Sequence, residues 1–192
     1  MVIIGDVHGK LTYYKNIIDK CDRSIQLGDF GFKREHDWHI KNVDGTKHKL
    51  LFGNHNYYPY LYKIHSLGDY AIVDDYIMCI RGAHSIDKWH RLEGRDWFRE
   101  EELEYAKWFE IIDKIKEVKP AVIISHDCPQ IIREMQFNIY DKSRTSDGLQ
   151  ACFIEHQPEL WLFGHHHMSI DVRVRGTRFI CLNELETYKL PE

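Results

Sequence analysis

Short apolar runs recur along the chain, and glycine or polar residues follow each of them. Five runs of four or five residues have the length of a buried strand. With the residues that follow, they read MVIIGDVHG, SIQLGDFG, KLLFGNHN, AVIISHDCP and LWLFGHHH, beginning at positions 1, 24, 49, 121 and 160. We interpret all five as buried strands.

Segments with helical spacing lie between some of these strands. Apolar residues recur at helical intervals over residues 9–20 and 99–119, and the second segment stops where a proline follows. Residues 145–157 form a third predicted helix, with Thr145 or Ser146 as its N-cap.

Two further strands are expected near the C-terminal end, at 168–176 and 177–183, around an Arg-Gly-Thr turn. Strands that alternate with helices and then follow one another predict an α/β sandwich of sheets flanked by helices. At 192 residues the chain has the length of one domain with a sizeable core. We therefore expect residues 1–192 to form a single domain.

Composition narrows the functional classes. The formal net charge of −4 supplies no overall basic field that would recruit nucleic acid or an anionic membrane. The five cysteines are scattered and form no CxxC pair, which argues against a thiolate zinc site and for a reducing compartment. The sequence shows neither a signal peptide nor a membrane-spanning helix, so we expect a cytoplasmic protein.

The residues that carry chemistry stand at the ends of the five strands. In α/β sheets, ligands gather beyond the carboxyl ends of strands, so these side chains are expected to meet. Carboxylate, amide and imidazole together suit Mn²⁺, Fe, Co²⁺, Ni²⁺ or Zn²⁺ better than Ca²⁺. In chain order the candidates are Asp6, His8, Asp29, Asn54, His55, His126, His165, His166 and His167.

The spacing of these candidates indicates which side chains share a face. In extended backbone, residues i and i+2 project to the same side. Asp6 and His8 are then expected to face one metal. By the same rule His165 and His167 share a side, and His166 points away.

In order and spacing, these stretches resemble the calcineurin-like metallophosphoesterase family over residues 5–167. The family pattern is DxH, GDxx, GNH, a lone histidine and GHxH. Here it reads Asp6-Val7-His8, Gly28-Asp29, Gly53-Asn54-His55, His126 and Gly164-His165-His166-His167. The resemblance implies a four-layer α/β/β/α sandwich with two divalent metal ions. We expect Mn²⁺ first, with Fe, Zn, Ni or Co as alternatives.

The same resemblance implies a role for each residue. The implied ligands are Asp6, His8 and His167 for the first metal, and Asn54, His126 and His165 for the second. Asp29 would bridge both metals, and His55 would contact the scissile phosphate or protonate the leaving group. The metals would lower the pKa of a bridging water, and the hydroxide so formed would attack a small phosphomonoester or phosphodiester.

Some positions depart from the protein Ser/Thr phosphatases of this superfamily. Phe32 and Lys33 stand where those enzymes carry aspartate and arginine. Phe52 replaces a further arginine, and Asn56 replaces an acidic residue. The arginines that form bidentate contacts with the phosphate of phosphoproteins are therefore missing from their usual positions. Their absence disfavours phosphoprotein substrates.

A nuclease or a protein phosphatase of the same superfamily is the alternative, and a non-catalytic assembly scaffold is a more distant one. The acidic balance disfavours a nuclease, so nucleic acid is kept only as an alternative substrate. The intact Asn54-His55 pair disfavours a scaffold.

Loops at 31–47 and 82–99 are expected to form any lid over the site. The candidates for holding the non-reacting part of the substrate are Lys33, Arg34, Arg81 and His84. The oligomeric state stays open.

Overall fold

A computed structural model describes residues 1–191 of the chain and shows two β-sheets. The smaller sheet has four strands in the order β10-β1-β2-β3. In this sheet β1, β2 and β3 run parallel, and β10 pairs with β1 in the antiparallel sense. Its strands are β1 (Val2–Ile4), β2 (Ser24–Gln26), β3 (His48–Leu50) and β10 (Thr187–Lys189).

The larger sheet has six strands in the order β4-β5-β6-β7-β9-β8. Its four central strands are parallel, and the two edge strands are antiparallel to their neighbours. The strands are β4 (Tyr70–Val73), β5 (Ile77–Ile80), β6 (Val122–Ser125), β7 (Leu160–Phe163), β8 (Ile170–Val174) and β9 (Thr177–Cys181).

Five α-helices accompany the sheets in residues 1–191. They are α1 (Leu11–Ile18), α2 (Lys33–Asn42), α3 (Tyr105–Val118), α4 (Gln130–Phe137) and α5 (Arg144–Glu155). Short 3₁₀ turns occupy Tyr58–Tyr60, Lys88–His90 and Arg99–Glu101. Each described helix is too short or too polar to cross a lipid bilayer.

Three apolar clusters define four layers, because neighbouring strand residues point to opposite faces. Ile3 and Leu162 belong to a cluster between the two sheets. Ile4 packs on the other face of the small sheet with residues of α1. Trp161 packs on the outer face of the large sheet with residues of α3, α4 and α5. The expected α/β/β/α sandwich is therefore confirmed.

Several element boundaries differ from the sequence prediction. The helix expected from residue 99 begins at Tyr105, because residues 99–101 form a separate 3₁₀ turn. The N-cap of α5 is Ser143 rather than Thr145 or Ser146, and its hydroxyl accepts a hydrogen bond from the Ser146 N–H at 3.0 Å. In α5 the side chain of Ser143 makes the capping hydrogen bond two residues before the predicted start, whereas no side chain caps the first turn of α3.

Helix α2 lies where the sequence predicted only a loop. Its buried side chains are His36 and His39, so the apolar spacing that reveals a helix is missing. The His36 ring stacks on Phe30 and on Phe52, at centroid distances of 6.0 and 5.1 Å. Two imidazoles thus take the place of aliphatic side chains in the core beneath α2.

Burial of these imidazoles predicts an acid-sensitive fold. Desolvation lowers the pKa of His36 to about 4 and that of His39 to about 3, against about 6.5 in an unfolded chain. Between about pH 4 and 6.5 the unfolded chain binds a proton at His36 that the folded chain does not, and the same holds for His39 between about pH 3 and 6.5. The free energy of unfolding should therefore fall as the pH drops below about 6.5, by up to about 1.4 kcal/mol per pH unit for each histidine.

The variant His39→Phe keeps a ring at the site and removes one titrating group. Urea unfolding of chelator-treated protein between pH 7.5 and 5 should show a shallower loss of stability than in the unsubstituted chain. His90→Gln, at an exposed histidine, is the matched control and should leave the slope unchanged. An unaltered slope in His39→Phe would contradict the explanation.

Candidate metal centre

Loops after five strands meet at one edge of the two sheets. Strands β1, β2 and β3 of the small sheet and β6 and β7 of the large sheet precede these loops. Ligand-type atoms of the loops form two groups, and the atoms of each group lie within 4.8 Å of one another. The first group contains Asp6, His8, Asp29 and His167, and the second contains Asp29, His126 and His165.

Asp29 belongs to both groups, and its two oxygens face different partners. Oδ1 lies 3.2 Å from Nε2 of His126, and Oδ2 lies 3.6 Å from Nε2 of His8. The N–H of His55 donates to Oδ1 at 2.7 Å. The N–H of Asp29 itself donates to Oδ1 of Asn56 at 2.8 Å. The carboxylate is thus held with one oxygen toward each group.

In the first group, ring nitrogens converge beside carboxylates. Nε2 of His8 lies 2.9 Å from Nε2 of His167, and the latter lies 3.3 Å from Oδ2 of Asp6. The N–H of His165 donates to the same Asp6 oxygen at 3.0 Å, which links the loop after β7 to the loop after β1. Donor atoms that face one another in this way suit a shared cation.

In the second group, hydrogen bonding fixes one imidazole. Nδ1 of the fully buried His126 lies 3.0 Å from the carbonyl oxygen of Leu27. Because a carbonyl can only accept, Nδ1 carries the hydrogen and Nε2 points toward Asp29. A backbone acceptor on the far nitrogen is the arrangement that orients histidine ligands of metals. Asn54 lines the same cleft as Asp29 and His165.

The donor set fits divalent cations. Oδ1 of Asp6 and Oδ1 of Asn54 are buried and have no hydrogen-bond partner among the described residues. Buried polar atoms are costly to leave unpaired, and both atoms are of ligand type. Two groups of oxygen and nitrogen donors that share one carboxylate therefore suit two cations.

The charges of the cluster lead to the same conclusion. Burial alone would raise the pKa of Asp29, but the imidazoles of His126, His55 and His8 together outweigh burial and lower this pKa below its usual range. Burial alone would lower the pKa of His126, but Asp29 raises it to about 9. In the metal-free chain a proton thus supplies the positive charge that Asp29 requires. A metal ion would displace that proton when it binds.

Asp6 and His8 share one group as expected, but the backbone that carries the ligands is not extended as the alternation rule assumed. His8, Asp29, His165 and His167 all have left-handed backbone, with φ of 44, 53, 66 and 50°. Left-handed residues turn the chain, so side chains two apart need not share a face. His165 and His167 do reach the cluster, but each joins a different group. Gly53 lets the loops close up, since a Cβ there would lie 2.3 Å from Oδ1 of Asp29.

His166 turns away from the two groups into a network of its own. Its ring stacks on Phe137 at a centroid distance of 3.9 Å, and Nε2 lies 3.0 Å from Oδ1 of Asp127. Asp127, Cys128 and His166 would also satisfy a metal-site geometry. However, the guanidinium of Arg133 lies 3.9 Å from the Asp127 carboxylate and already supplies positive charge. We therefore interpret this group as a support for the loop after β7.

Arg91 is the site residue that the sequence did not reveal. Its Nη2 lies 2.7 Å from Nε2 of His55, and Nη1 donates to the carbonyl oxygen of Asn54 at 3.4 Å. Asp87 pairs with the same guanidinium at 2.7 Å. Arginine has only donors, so Nε2 of His55 is the acceptor. Burial, the largest influence on this imidazole, lowers the pKa of His55.

The predicted substrate contacts only partly reach the site. A cleft of about 320 Å³ holds His84 beside both ligand groups. Arg81 does not line it, because its buried guanidinium pairs with Asp69 at 2.7 Å. Lys33 and Arg34 are also outside the cleft lining and pair with acidic residues of α2. None of these three side chains therefore lines the cleft, whereas Arg91 does.

The chain matches the family described as calcineurin-like phosphoesterase over residues 1–169, and it belongs to that family. No curated protein matches the chain by sequence.

Two solved structures share the fold. A candidate 5'-nucleotidase from Staphylococcus aureus is 15% identical with a TM-score of 0.55, and the match covers 96% of this chain and 48% of that one. The phosphopantetheinyl hydrolase from Mycobacterium tuberculosis is 13% identical with a TM-score of 0.53, covering 95% of this chain and 89% of that one. This chain spans about half the length of the first neighbour. At these identities the likeness shows the fold alone.

The three adjacent histidines should respond differently to substitution. His165→Ala and His167→Ala should each lose bound metal, because each removes one donor from a group. His166→Ala should keep its metal but lose thermal stability, with about 2–4 °C lost for each kcal/mol of stacking and hydrogen bonding removed. Metal analysis and thermal melting of the three variants separate these effects. If His166→Ala loses as much metal as the other two variants, His166 is not only a support for the loop after β7.

Proposed function

We propose that the protein hydrolyses small phosphate esters with two divalent cations held by the two ligand groups. The observation that carries this proposal is the Asp29 carboxylate, which offers one oxygen to each group. Asp6, His8 and His167 would hold one cation, and Asn54, His126 and His165 the other. Mn²⁺ is the proposed ion, because carboxylate, amide and imidazole ligands suit it.

When bound, the cations would polarise the phosphoryl oxygens and activate water. The protein supplies the orientation of the ligands. The Leu27 carbonyl holds the His126 ring, and the His55 N–H holds Asp29. These contacts come from backbone groups at strand ends, so the donor set is rigid before any substrate arrives.

Arg91 and His55 are proposed to hold the phosphoryl group that is transferred. They form a contiguous pair at the cleft, and Asp87 keeps the guanidinium in place. A guanidinium matches the geometry of a phosphate and stays charged at any working pH. Nε2 of His55 accepts from Arg91 here, so phosphate contact and proton donation by this atom both require the guanidinium to turn toward the substrate and Nε2 to carry a hydrogen.

The substrate is proposed to be a small monoester or diester. The cleft of about 320 Å³ lies under residues of the 82–99 loop, including His84 and Ile86. Phe32 and Phe52 occupy positions where the protein phosphatases bind phosphoproteins through charged residues. The names of the two structural neighbours also refer to small molecules. All five cysteines are free thiols, which agrees with a proposed cytoplasmic location.

A substrate panel tests the proposed activity. Chelator-treated protein should regain hydrolysis of p-nitrophenyl phosphate, bis-p-nitrophenyl phosphate or nucleotides when Mn²⁺ is added. Its kcat/KM should be higher on these than on a phosphopeptide or duplex DNA. Full activity without metal would refute the metal dependence. A hundredfold preference for the phosphopeptide, or processive degradation of DNA, would refute the proposed substrate class.

Arg91→Met should weaken substrate binding and inhibition by inorganic phosphate together. Loss of charge-assisted hydrogen bonds should lower kcat/KM by about 10- to 100-fold while both metals remain bound. Arg95→Met, at an exposed arginine of the same loop, is the matched control and should behave as the unsubstituted chain. Unchanged phosphate inhibition in Arg91→Met would show that Arg91 does not contact the phosphoryl group.

A further inference from the structure

A chain of buried hydrogen bonds, called the relay below, runs from Asn54 through Ser85 to Glu101. We propose that Ser85 and Glu101 are positioning residues that hold the Asn54 amide with its oxygen toward the second cation. The inference rests on the proposed role of Asn54 as a ligand. It assigns a function to the loop after β5, which carries both residues.

The relay consists of three short contacts between buried groups. Nδ2 of Asn54 donates to Oγ of Ser85 at 3.2 Å. That hydroxyl donates to Oε2 of Glu101 at 2.7 Å. The N–H of Ser85 donates to the other carboxylate oxygen of Glu101, also at 2.7 Å. The three residues are 4, 1 and 2% exposed, so water does not compete for these bonds.

The chemistry of these groups gives the relay a direction. A carboxylate only accepts, so the single hydroxyl hydrogen of Ser85 goes to Glu101. The lone pairs of Oγ are then free to accept, and Nη1 of Arg91 also lies 3.3 Å from this oxygen. Asn54 must therefore present its NH₂ group to Ser85. Its Oδ1 is left facing the cleft, where it is buried without a hydrogen-bond partner among the described residues.

Without the relay, the amide could adopt either orientation. A rotation of 180° exchanges oxygen and nitrogen with almost no change of shape, and it would present two N–H donors to a cation. An amide nitrogen in this position cannot act as a ligand, so the second site would lose one of its donors. The orientation of Asn54 is therefore as important as its identity.

Glu101 is well placed to hold the relay rigid. It ends the 3₁₀ turn Arg99–Glu101, and its carbonyl oxygen accepts from the N–H of Ala83 at 3.2 Å. Gly82 permits this approach, since a Cβ there would lie 2.6 Å from the same carbonyl oxygen. Both ends of the loop are thus joined behind Asn54.

Glu101→Gln tests the direction of the relay without a change of shape. The Ser85 N–H still needs an acceptor, so the glutamine oxygen must face it and the NH₂ group must face Oγ. The hydroxyl hydrogen then turns toward Asn54, which would rotate to accept it. Calorimetric titration of chelator-treated protein with Mn²⁺ should show one of two sites weakened by about 10- to 100-fold, as for other residues that orient metal ligands.

Asn54→Asp provides the decisive background, because a carboxylate has two equivalent oxygens and needs no orientation. Glu101→Gln should weaken Mn²⁺ binding in the Asn54 chain, and it should change the affinity by less than about twofold in the Asn54→Asp chain. A merely structural role for Glu101 would produce the same loss in both backgrounds. Equal losses would therefore overturn the proposal.

Ser85→Ala is the second variant, and it should also weaken one site, since nothing then fixes the amide. Glu104→Gln is the matched control at an exposed glutamate of the same segment and should bind Mn²⁺ normally. Two tight sites in both Ser85→Ala and Glu101→Gln would overturn the relay while leaving the proposed function intact. Failure of the unsubstituted chain to bind Mn²⁺ would overturn both.

Discussion

The Asp29 carboxylate is the constraint on which the rest of the site depends. It is almost fully buried, and its two oxygens lie near imidazoles that reach it from different loops. A buried carboxylate needs positive charge close by. In the metal-free chain the proton on His126 supplies it. Two cations would supply it better, because they would also satisfy the unpaired oxygens of Asp6 and Asn54.

The backbone makes this convergence feasible. Parallel strands of both sheets end at the same edge, and left-handed residues then turn each loop inward. Asn56 ties two of these loops together, since its Oδ1 accepts from the N–H groups of Asp29 and Gly53 at 2.8 and 2.7 Å. Asn56, which stands where the protein phosphatases carry an acidic residue, thus links the two loops by hydrogen bonds.

Much of the fold and the metal cluster could be predicted because both depend on short-range patterns. Buried strands leave apolar runs, and residues at parallel strand ends are expected to meet, so Asp29 and His126 could be placed in one cluster without a structure. Helix α2 was missed because buried His36 and His39 replace the apolar residues that mark a helix.

The residues behind the cluster could not be found in the same way. Arg91 lies 36 positions from His55, and Glu101 lies 16 positions from Ser85. No single helix or strand spans either separation, because an irregular loop brings each pair together. The pairing of Arg81 could not be predicted for a related reason. A charged residue after a strand resembles a substrate contact in the sequence, whereas the fold pairs this one with Asp69.

Anomalous diffraction from crystals soaked in Mn²⁺ would test the central claim most directly. We expect two anomalous peaks, one on each side of the Asp29 carboxylate, with Asn54 Oδ1 turned toward the peak beside His126 and His165. A single peak that does not contact Asp29, or peaks only at Asp127, Cys128 and His166, would contradict it.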